Sequence, residues 1–385
     1  MLLLVAAAGP RADALLSSVQ PADREDYQAV ASTRSWSTAP SGPYRIYLDI
    51  YDNADFFDSE PGGTKFFADK TVLSDTLRPV VTVLWERFRF QAGVIAQRTF
   101  GDSTGVGSVN PWAQILWKPT PALSTVLGNL SIPHEYLPIL FYEPNYFLVE
   151  NHETGLQLLH RQPGWRDDFF FNYHQTETAG RNEKFDLGYV HHNEWKLFNF
   201  NYQAHWQHAG GDNFPHPADT INDSAQAAGV GLKHEVLPAL ILGANFYYLH
   251  SHLRVDSDTP GMSMRVNGNG RYWQAFARWS RLKLVYAHWH GRDFSHADGD
   301  EYFKAPNMHQ GTIHYDLLLS DDFTLFGELT GYFVGNNSLG ITHYVKPTFL
   351  IQGAWHFAIP SKGWDIGPTA AASDSAVPSR WDTGL

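Results

Sequence analysis

The sequence predicts an all-β fold, a closed antiparallel transmembrane β-barrel of about 16 strands, and three observations support it. Polar and apolar side chains alternate along many segments, as they do in a strand with one wet and one dry face. The connectors between these segments alternate between short and long. No stretch approaches the roughly 18 to 20 consecutive apolar residues of a membrane helix. A soluble β-sandwich or propeller array is the alternative fold.

The clearest alternation runs through residues 197–207. One face of this segment is polar and carries Asn199, Asn201, Gln203, His205 and Gln207. The opposite face is apolar and carries Phe198, Phe200, Tyr202, Ala204 and Trp206. A polar row opposite an aromatic row is typical of a membrane barrel whose outside contacts lipid and whose inside contacts water.

The connectors indicate how the strands are arranged. Seven short and eight long connectors join 16 strands and leave both chain ends on the short-turn side. The long connectors are rich in Gly, Asp, Asn, Ser and Pro, as exposed loops are. We therefore expect short periplasmic turns and long outer loops.

The chain divides into four parts by composition. Residues 1–14 predict a signal peptide, truncated because its basic n-region is missing, and a disordered N-terminus is the alternative. Residues 15–42 predict an N-terminal periplasmic segment, and residues 43–359 the transmembrane barrel. Residues 360–385 lack periodicity and predict a flexible or partner-bound C-terminal tail.

Composition excludes several kinds of chemistry. The chain has no cysteine, which rules out disulfides, thiolate metal sites and thiol nucleophiles. Its formal net charge of -12 disfavours nucleic acid as a partner, because phosphate binding needs a basic surface. Charged residues make up 18% and aromatic residues 15%. These proportions fit an exported envelope protein better than an ordinary soluble domain.

Two groups of known proteins share features with this sequence. Over about residues 44–359 the chain resembles bacterial outer-membrane β-barrel proteins of porin size. A further resemblance rests on the residues 127–130 (LGNL), on His134, Pro138 and Glu143, and on residues 153–158 (ETGLQL). That order is similar to a loosely characterised group of barrels from Bacteroidetes-type bacteria. The resemblance implies a location in the outer membrane of a Gram-negative bacterium, with outer-membrane lipid around the barrel.

The function predicted from the sequence is a porin-like channel for passive passage of small hydrophilic solutes. Its expected lining residues are polar and lie on the wet faces: Arg87, Arg89, Gln91, Asn199, Asn201, Gln203, His205, Arg278 and Glu328. The alternative is a non-conducting barrel that anchors or scaffolds a larger cell-envelope assembly. Such a barrel would form a homo-oligomer or a larger complex through its outer loops and C-terminal tail.

One long connector, residues 132–154, is too apolar to extend into water. We expect it to fold inward as a constriction or to pack against a partner. The aromatic residues that support this are Tyr136, Phe141, Tyr142, Tyr146 and Phe147.

No sequence-local catalytic signature is present, so the sequence predicts no catalytic residue and a protein that is not an enzyme. A barrel hydrolase that assembles Ser, His and Asp from separate strands stays open as the alternative. His250 with His252, and His288 with His290, each place two imidazoles on one strand face, followed in the second case by Asp293 and His296. Acidic loops lie at residues 256–258 and 298–301. Histidines bonded to their neighbours and solvated loops are the favoured explanations, so we assign no metal and no cofactor. The alternatives are a surface metal site at the second histidine pair and a weak divalent-cation site that bridges the acidic loops.

Overall fold

The computed structural model describes residues 45–62, 70–100, 107–131, 134, 136–140, 153–178, 181–211, 219–257, 262–299, 301–319, 323–334 and 343–358. The strands within these ranges are β1 (Arg45–Gly62), β2 (Lys70–Trp85), β3 (Phe88–Thr99), β4 (Ser108–Trp117), β5 (Leu123–Asn129), β6 (Thr154–Gln162), β7 (Trp165–Gln175), β8 (Glu183–Trp195), β9 (Phe198–Gly210), β10 (Thr220–Leu237), β11 (Leu240–Asp256), β12 (Met264–Trp279), β13 (Leu282–Arg292), β14 (Asn307–Leu319), β15 (Phe323–Val334) and β16 (His343–Ala358). A short 3-10 helix, Glu301–Lys304, precedes β14. The predicted all-β antiparallel architecture is confirmed.

Every strand pairs antiparallel with its neighbours in the chain, and β1 also pairs with β16, so the strand order closes on itself. The connectors alternate between tight turns and long segments. Lys196, Ala239 and Ser280 lie in tight turns with positive φ angles, as the twist of two-residue hairpins demands. The described residues contain no helix that is both long and apolar enough to cross a membrane. Residues 1–14, 15–42 and 360–385, predicted as separate segments, lie outside the described residues.

The two faces of the strands differ as the alternation predicts. On β9, Phe198 and Phe200 point outward and are exposed, whereas Asn201, Gln203 and His205 point inward and are buried. Because successive side chains of a strand point to opposite faces, this division places the apolar row on the outside of the barrel.

Tryptophans mark the tight-turn end of the barrel. They lie at strand ends beside the tight turns, point outward and are exposed: Trp85, Trp117, Trp165, Trp195 and Trp279. Rings with an apolar body and one polar N–H favour the boundary between hydrocarbon and water. This girdle therefore marks one edge of the membrane-facing band.

The described parts of two long connectors lie in the interior. The described parts of the β5–β6 and β13–β14 connectors, residues 136–140, 293–299 and 301–306, form what we call the lumen plug. Tyr136, Phe294 and Phe303 from these segments belong to one buried apolar cluster with Trp289 of β13. Trp289 lies against Gly270, where a Cβ atom would collide with the indole ring. The interior half near the long connectors is therefore packed like a protein core.

Candidate functional site

The predicted lining residues face the inside of the barrel in most cases, and most of them are buried there. Arg89, Gln91, Asn201, Gln203, His205 and Arg278 are buried and face inward. Asn199 and Glu328 face inward and are half-buried. Arg87 lies in the tight turn between β2 and β3, where its Nη1 donates to the main-chain oxygen of Pro119 at 2.6 Å. Gln203 and His205 contact the lumen plug, whereas Arg89 bonds to Gln114 on the neighbouring strand. The prediction that these residues line a conducting channel stays a prediction.

The predicted constriction lies partly in the described region. Tyr136 is completely buried inside the barrel, and its hydroxyl donates to the main-chain oxygen of Ala204 at 2.7 Å. The main-chain N–H of Leu137 donates to Oε1 of Gln203 at 2.8 Å. Phe141, Tyr142, Tyr146 and Phe147 lie outside the described residues.

A first interior cluster surrounds His134. Its Nε2 lies 2.5 Å from Oε2 of Glu153 and its Nδ1 lies 2.9 Å from Oδ2 of Asp168, while its ring stacks on Phe170. Gln157 donates to Asp168 at 2.9 Å. His134, Glu153 and Gln157 belong to the motif behind the Bacteroidetes-type resemblance. All three are buried away from lipid and from solvent, so this cluster fastens the β5–β6 connector rather than offering a surface for catalysis.

A second interior cluster joins the β13–β14 connector to β9 and β10. Nδ1 of His205 lies 2.8 Å from Nε2 of His296, and Nδ1 of His296 lies 3.0 Å from Oδ1 of Asp223. Asp298 accepts a hydrogen bond of 2.7 Å from Gln207. His205, His296 and Asp298 bring three metal-type ligand atoms within 4.8 Å of one another.

On the outer wall, one histidine cluster lies at the tight-turn end. Asp167 accepts hydrogen bonds from Trp165 Nε1 at 2.5 Å and from the Tyr189 hydroxyl at 2.8 Å. His160 and His191 also place Nδ1 within 3.2 and 2.8 Å of this carboxylate. The cluster includes no serine or threonine hydroxyl, so it lacks the usual nucleophile of an esterase.

A second outward cluster crosses three adjacent strands at the long-connector end. Ser224 of β10 lies opposite His252 of β11, and His252 lies opposite Asn267 of β12. Nδ1 of His252 and Oδ1 of Asn267 are 2.7 Å apart. The Ser224 hydroxyl donates to the main-chain oxygen of His252 at 3.4 Å. The buried neighbours Asp223, Ser251 and Gly268 point inward, so this row, which we call the Ser–His–Asn row, points outward.

The Ser–His–Asn row contains a hydroxyl, an imidazole and an amide in the order that nucleophilic catalysis uses. The contact with Asn267 is an N–H···O bond when Nδ1 of His252 carries the proton, and Nε2 is then the basic nitrogen. The row could not be found from the sequence, because His252 precedes Asn267 by 15 residues and Ser224 precedes it by 43. Only the register of the sheet brings them together.

Basic side chains border the row. Arg254 lies opposite Arg265 on the outward face, one step further toward the long connectors. Arg254 is paired through Nε with Asp256 at 2.7 Å. Like charges placed directly opposite each other in a sheet repel, and Asp256 offsets only the charge of Arg254. This part of the wall therefore suits an anionic group.

Among the described residues, members of the two histidine pairs bond to side chains on neighbouring strands. His252 bonds to Asn267, and His288 places Nε2 2.8 Å from Oδ1 of Asn307. His290 is exposed on the outer wall, whereas His296 lies inside the barrel against Asp223. Asp256 pairs with Arg254, and Asp298 bonds to Gln207 inside the barrel.

Comparison with known proteins gives a family. The model of the lipid A 3'-O-deacylase-type family matches residues 45–324. No curated protein matches the chain. Solved structures with a similar fold include an anion-selective porin from Comamonas acidovorans, with a TM-score of 0.46, 11% identity and coverage of 81% of this chain and 99% of that chain. OccAB2 from Acinetobacter baumannii has a TM-score of 0.47 and 10% identity, with 81% and 98% covered. OprD from Pseudomonas aeruginosa has a TM-score of 0.41 and 10% identity, with 82% and 95% covered.

The family match, together with an antiparallel sheet whose apolar side chains face outward, identifies this chain as an outer-membrane β-barrel protein located in the bacterial outer membrane. The prediction that the protein is not an enzyme is wrong, because the matched family is a family of enzymes. The physical reason is that a barrel can place the residues of one site on separate strands, where they are close in space but far apart in the sequence.

Proposed function

Since the chain belongs to the lipid A 3'-O-deacylase-type family, we propose that it hydrolyses an ester-linked acyl chain of a lipid A-type glycolipid in the outer membrane. The observation that carries this proposal is the outward Ser–His–Asn row, with His252 Nδ1 2.7 Å from Asn267 Oδ1. Ser224 is the nucleophile, His252 the general base and Asn267 the group that orients the imidazole. A lipid reaches this row from the membrane without entering the barrel.

The chemistry follows from these roles. Nε2 of His252 takes the hydroxyl proton as Oγ of Ser224 attacks the ester carbonyl carbon. When the tetrahedral intermediate collapses, the ester C–O bond breaks and His252 returns the proton to the leaving alkoxide. Water then attacks the acyl-serine, His252 takes a proton from it, and the fatty acid leaves as Ser224 regains its hydrogen. The Asn267 amide keeps His252 in the required tautomer throughout.

The resting geometry needs one local change. The Ser224 hydroxyl donates to a main-chain oxygen at 3.4 Å, a long bond that costs little to break. Residues directly opposite in an antiparallel sheet have Cβ atoms about 4.5–5.5 Å apart. A rotation about χ1 of Ser224, with a matching turn of the His252 ring, can therefore bring Oγ to Nε2. Catalytic hydrogen bonds are often long before substrate binds.

The height of the row along the barrel suits an ester near the membrane surface. Asn267 lies 12 residues from Trp279, the girdle residue at the other end of β12. At about 3.4 Å per residue and a tilt of about 40°, that separation is roughly 31 Å along the membrane normal. The apolar band of such barrels is about 25 Å tall. We therefore place the long connectors outside, the tight turns in the periplasm, and the row among the lipid headgroups.

The paired arginines support a substrate with a negative charge. Arg254 and Arg265 lie opposite each other one step beyond the row. Their guanidinium groups can bind an anionic headgroup, and they can stabilise the oxyanion that develops on the ester carbonyl. Arg265 is exposed on the outer wall, where a lipid can reach it.

The experiment is an acyl-release assay on the purified full-length protein in detergent micelles with lipid A. Mass spectrometry should show loss of one acyl chain. We expect Ser224→Ala and His252→Asn to lower the rate by about 10³-fold or more, and Asn267→Ala by about tenfold or more, as in hydrolases that use a triad.

The next row along the same strands provides a matched control. His250 lies opposite Gln226 and Asn269, so this row has the same imidazole and amide but no hydroxyl nucleophile. His250→Asn and Asn269→Ala should retain activity within about threefold. Equal activity of wild type and Ser224→Ala would refute the assignment of the nucleophile, and no release of any acyl chain by wild type would refute the proposed function.

A passive channel is the second candidate function. The inward-facing residues near the tight turns favour a channel. Arg278, Lys283 and Glu328 make the inner wall at this end of the barrel polar and charged. The lumen plug opposes it in the half near the long connectors. Planar-bilayer recording tests it: steady ohmic steps from wild type support a channel, and silence supports a barrel that works at its outer wall or as a scaffold.

A further inference from the structure

We propose that His205, His296 and Asp298 bind a divalent transition-metal ion of the zinc type inside the barrel. These residues come from β9 and from the β13–β14 connector, and their ligand atoms lie within 4.8 Å of one another. Two imidazoles and one carboxylate form a donor set typical of such ions, and fewer oxygens than calcium requires. The site is separate from the outward Ser–His–Asn row and independent of the proposed deacylase activity.

The spacing of the donor atoms fits one ion with a small adjustment. In tetrahedral zinc sites with bonds of about 2.0–2.1 Å, ligand atoms lie about 3.3 Å apart. Nδ1 of His205 is 2.8 Å from Nε2 of His296 and 3.8 Å from Oδ2 of Asp298. These two distances bracket the required value, and the third separation, between His296 and Asp298, is within 4.8 Å, so side-chain adjustments on the scale of an ångström would bring the three atoms around one ion.

The surrounding hydrogen bonds are those of a prepared metal site. Nδ1 of His296 lies 3.0 Å from the Asp223 carboxylate, which directs the basic Nε2 toward the other donors. Metal-bound histidines almost always bond a carboxylate or carbonyl in this way through the other ring nitrogen. Gln207 donates to Asp298 at 2.7 Å and fixes that carboxylate. The second oxygen of Asp223 accepts from the main-chain N–H of Ala297 at 2.7 Å, which holds the connector in place.

The position of the ion would link the lumen plug to the wall. His205 and Asp223 belong to adjacent strands, whereas His296 and Asp298 belong to the connector that fills the interior. The side chains of His205, His296 and Asp223 are almost completely buried, whereas the Asp298 side chain is 12% exposed. That edge gives an ion a route to the site. The consequence is a plug whose docking depends on metal.

The test measures metal binding by the full-length protein in detergent. The protein is stripped with a chelator, reloaded with Co²⁺ or Zn²⁺, desalted and analysed by mass spectrometry of the metal content and by Co²⁺ absorption spectroscopy. We expect about one ion per chain and the visible absorption bands of a low-symmetry Co²⁺ site with nitrogen ligands. His296→Gln and Asp298→Asn should lower the affinity at least tenfold. Asp223→Asn removes the carboxylate that contacts Nδ1 of His296 but removes no metal ligand, and it should lower the metal affinity about 10- to 100-fold.

An outward histidine provides the matched control. His290→Gln changes an exposed imidazole on the outer wall and should leave the affinity and the spectrum unchanged. Each variant is first checked for the heat-dependent gel mobility of a folded barrel. Failure of wild type to retain metal would overturn the proposal. So would loss of metal in His290→Gln with retention in a folded His296→Gln or Asp298→Asn variant.

Discussion

Removal of the Trp289 side chain should open the interior of the barrel. Trp289 is completely buried, its ring centroid lies 5.2 Å from that of Phe294 and 5.8 Å from that of Phe303, and its Nε1 donates to the main-chain oxygen of Ala305 at 2.9 Å. Phe294, Phe303 and Ala305 belong to the β13–β14 connector, so Trp289→Ala removes a large apolar contact between that connector and the barrel wall.

The magnitude follows from the contacts. Truncation of a buried tryptophan to alanine costs about 3–5 kcal/mol. The lost hydrogen bond leaves a buried carbonyl without its donor, which costs about 1–3 kcal/mol more. Even a total of only about 4 kcal/mol weakens docking of the connector by about 10³-fold, because about 1.4 kcal/mol corresponds to a factor of ten. The strand pairing of the barrel does not depend on this indole, so we expect the barrel to stay folded.

Planar-bilayer recording is the assay. We expect wild type to conduct little and Trp289→Ala to show frequent openings of much larger conductance. Trp279→Ala is the control, because Trp279 is 66% exposed on the outer wall and contacts no part of the lumen plug in the described residues. Identical records from wild type and Trp289→Ala, with the variant folded, would refute the conclusion that the connector closes the interior.

Three further predictions concern the faces of the barrel and the plug. Phe246→Arg should lower the free energy of unfolding by about 2–4 kcal/mol in urea titrations of the membrane-inserted protein, because Phe246 is exposed near the middle of the outward band; an unchanged midpoint would contradict its assignment to lipid. Asn201→Leu should cost about 1–3 kcal/mol in the same titration, because it leaves buried hydrogen-bond partners unpaired; a neutral effect would indicate a water-filled lumen. Burial alone would lower the pKa of His134, but the charges and hydrogen bonds of Glu153 and Asp168 outweigh burial and raise this pKa well above 6.5. The stabilisation by protonated His134 is therefore complete below about pH 6.5 and is lost as the pH rises through the raised pKa. In wild type, the temperature at which the protein loses its folded gel mobility should fall at alkaline pH. In His134→Gln, this temperature should not change with pH in the same way.

The alternation of side chains predicted the strands because each residue's direction depends only on its position in the strand. Phe200 and Asn201 illustrate this, since one is exposed to the outside and the other faces the interior. Burial of Asn201 could not be predicted in the same way. It depends on whether a distant connector folds into the barrel, and that depends on packing between segments far apart in sequence.

The candidate site was harder to predict for the same reason. His205 and His296 are 91 residues apart and meet only because the β13–β14 connector enters the barrel. Ser224 and His252 are 28 residues apart and meet because the register of β10 and β11 places them opposite each other. The sequence did single out His252, but as half of a pair with His250, since residues on the same strand are the only neighbours that sequence spacing reveals.

The lumen plug also constrains the order of assembly. One of its segments precedes β6 and the other precedes β14, while the seam between β1 and β16 joins the two ends of the sheet. A connector folded inside a finished cylinder would have to thread through its mouth with bulky rings such as Phe294 and Phe303. We therefore expect both segments to fold onto the growing sheet before β1 pairs with β16, so that closure of the barrel encloses them.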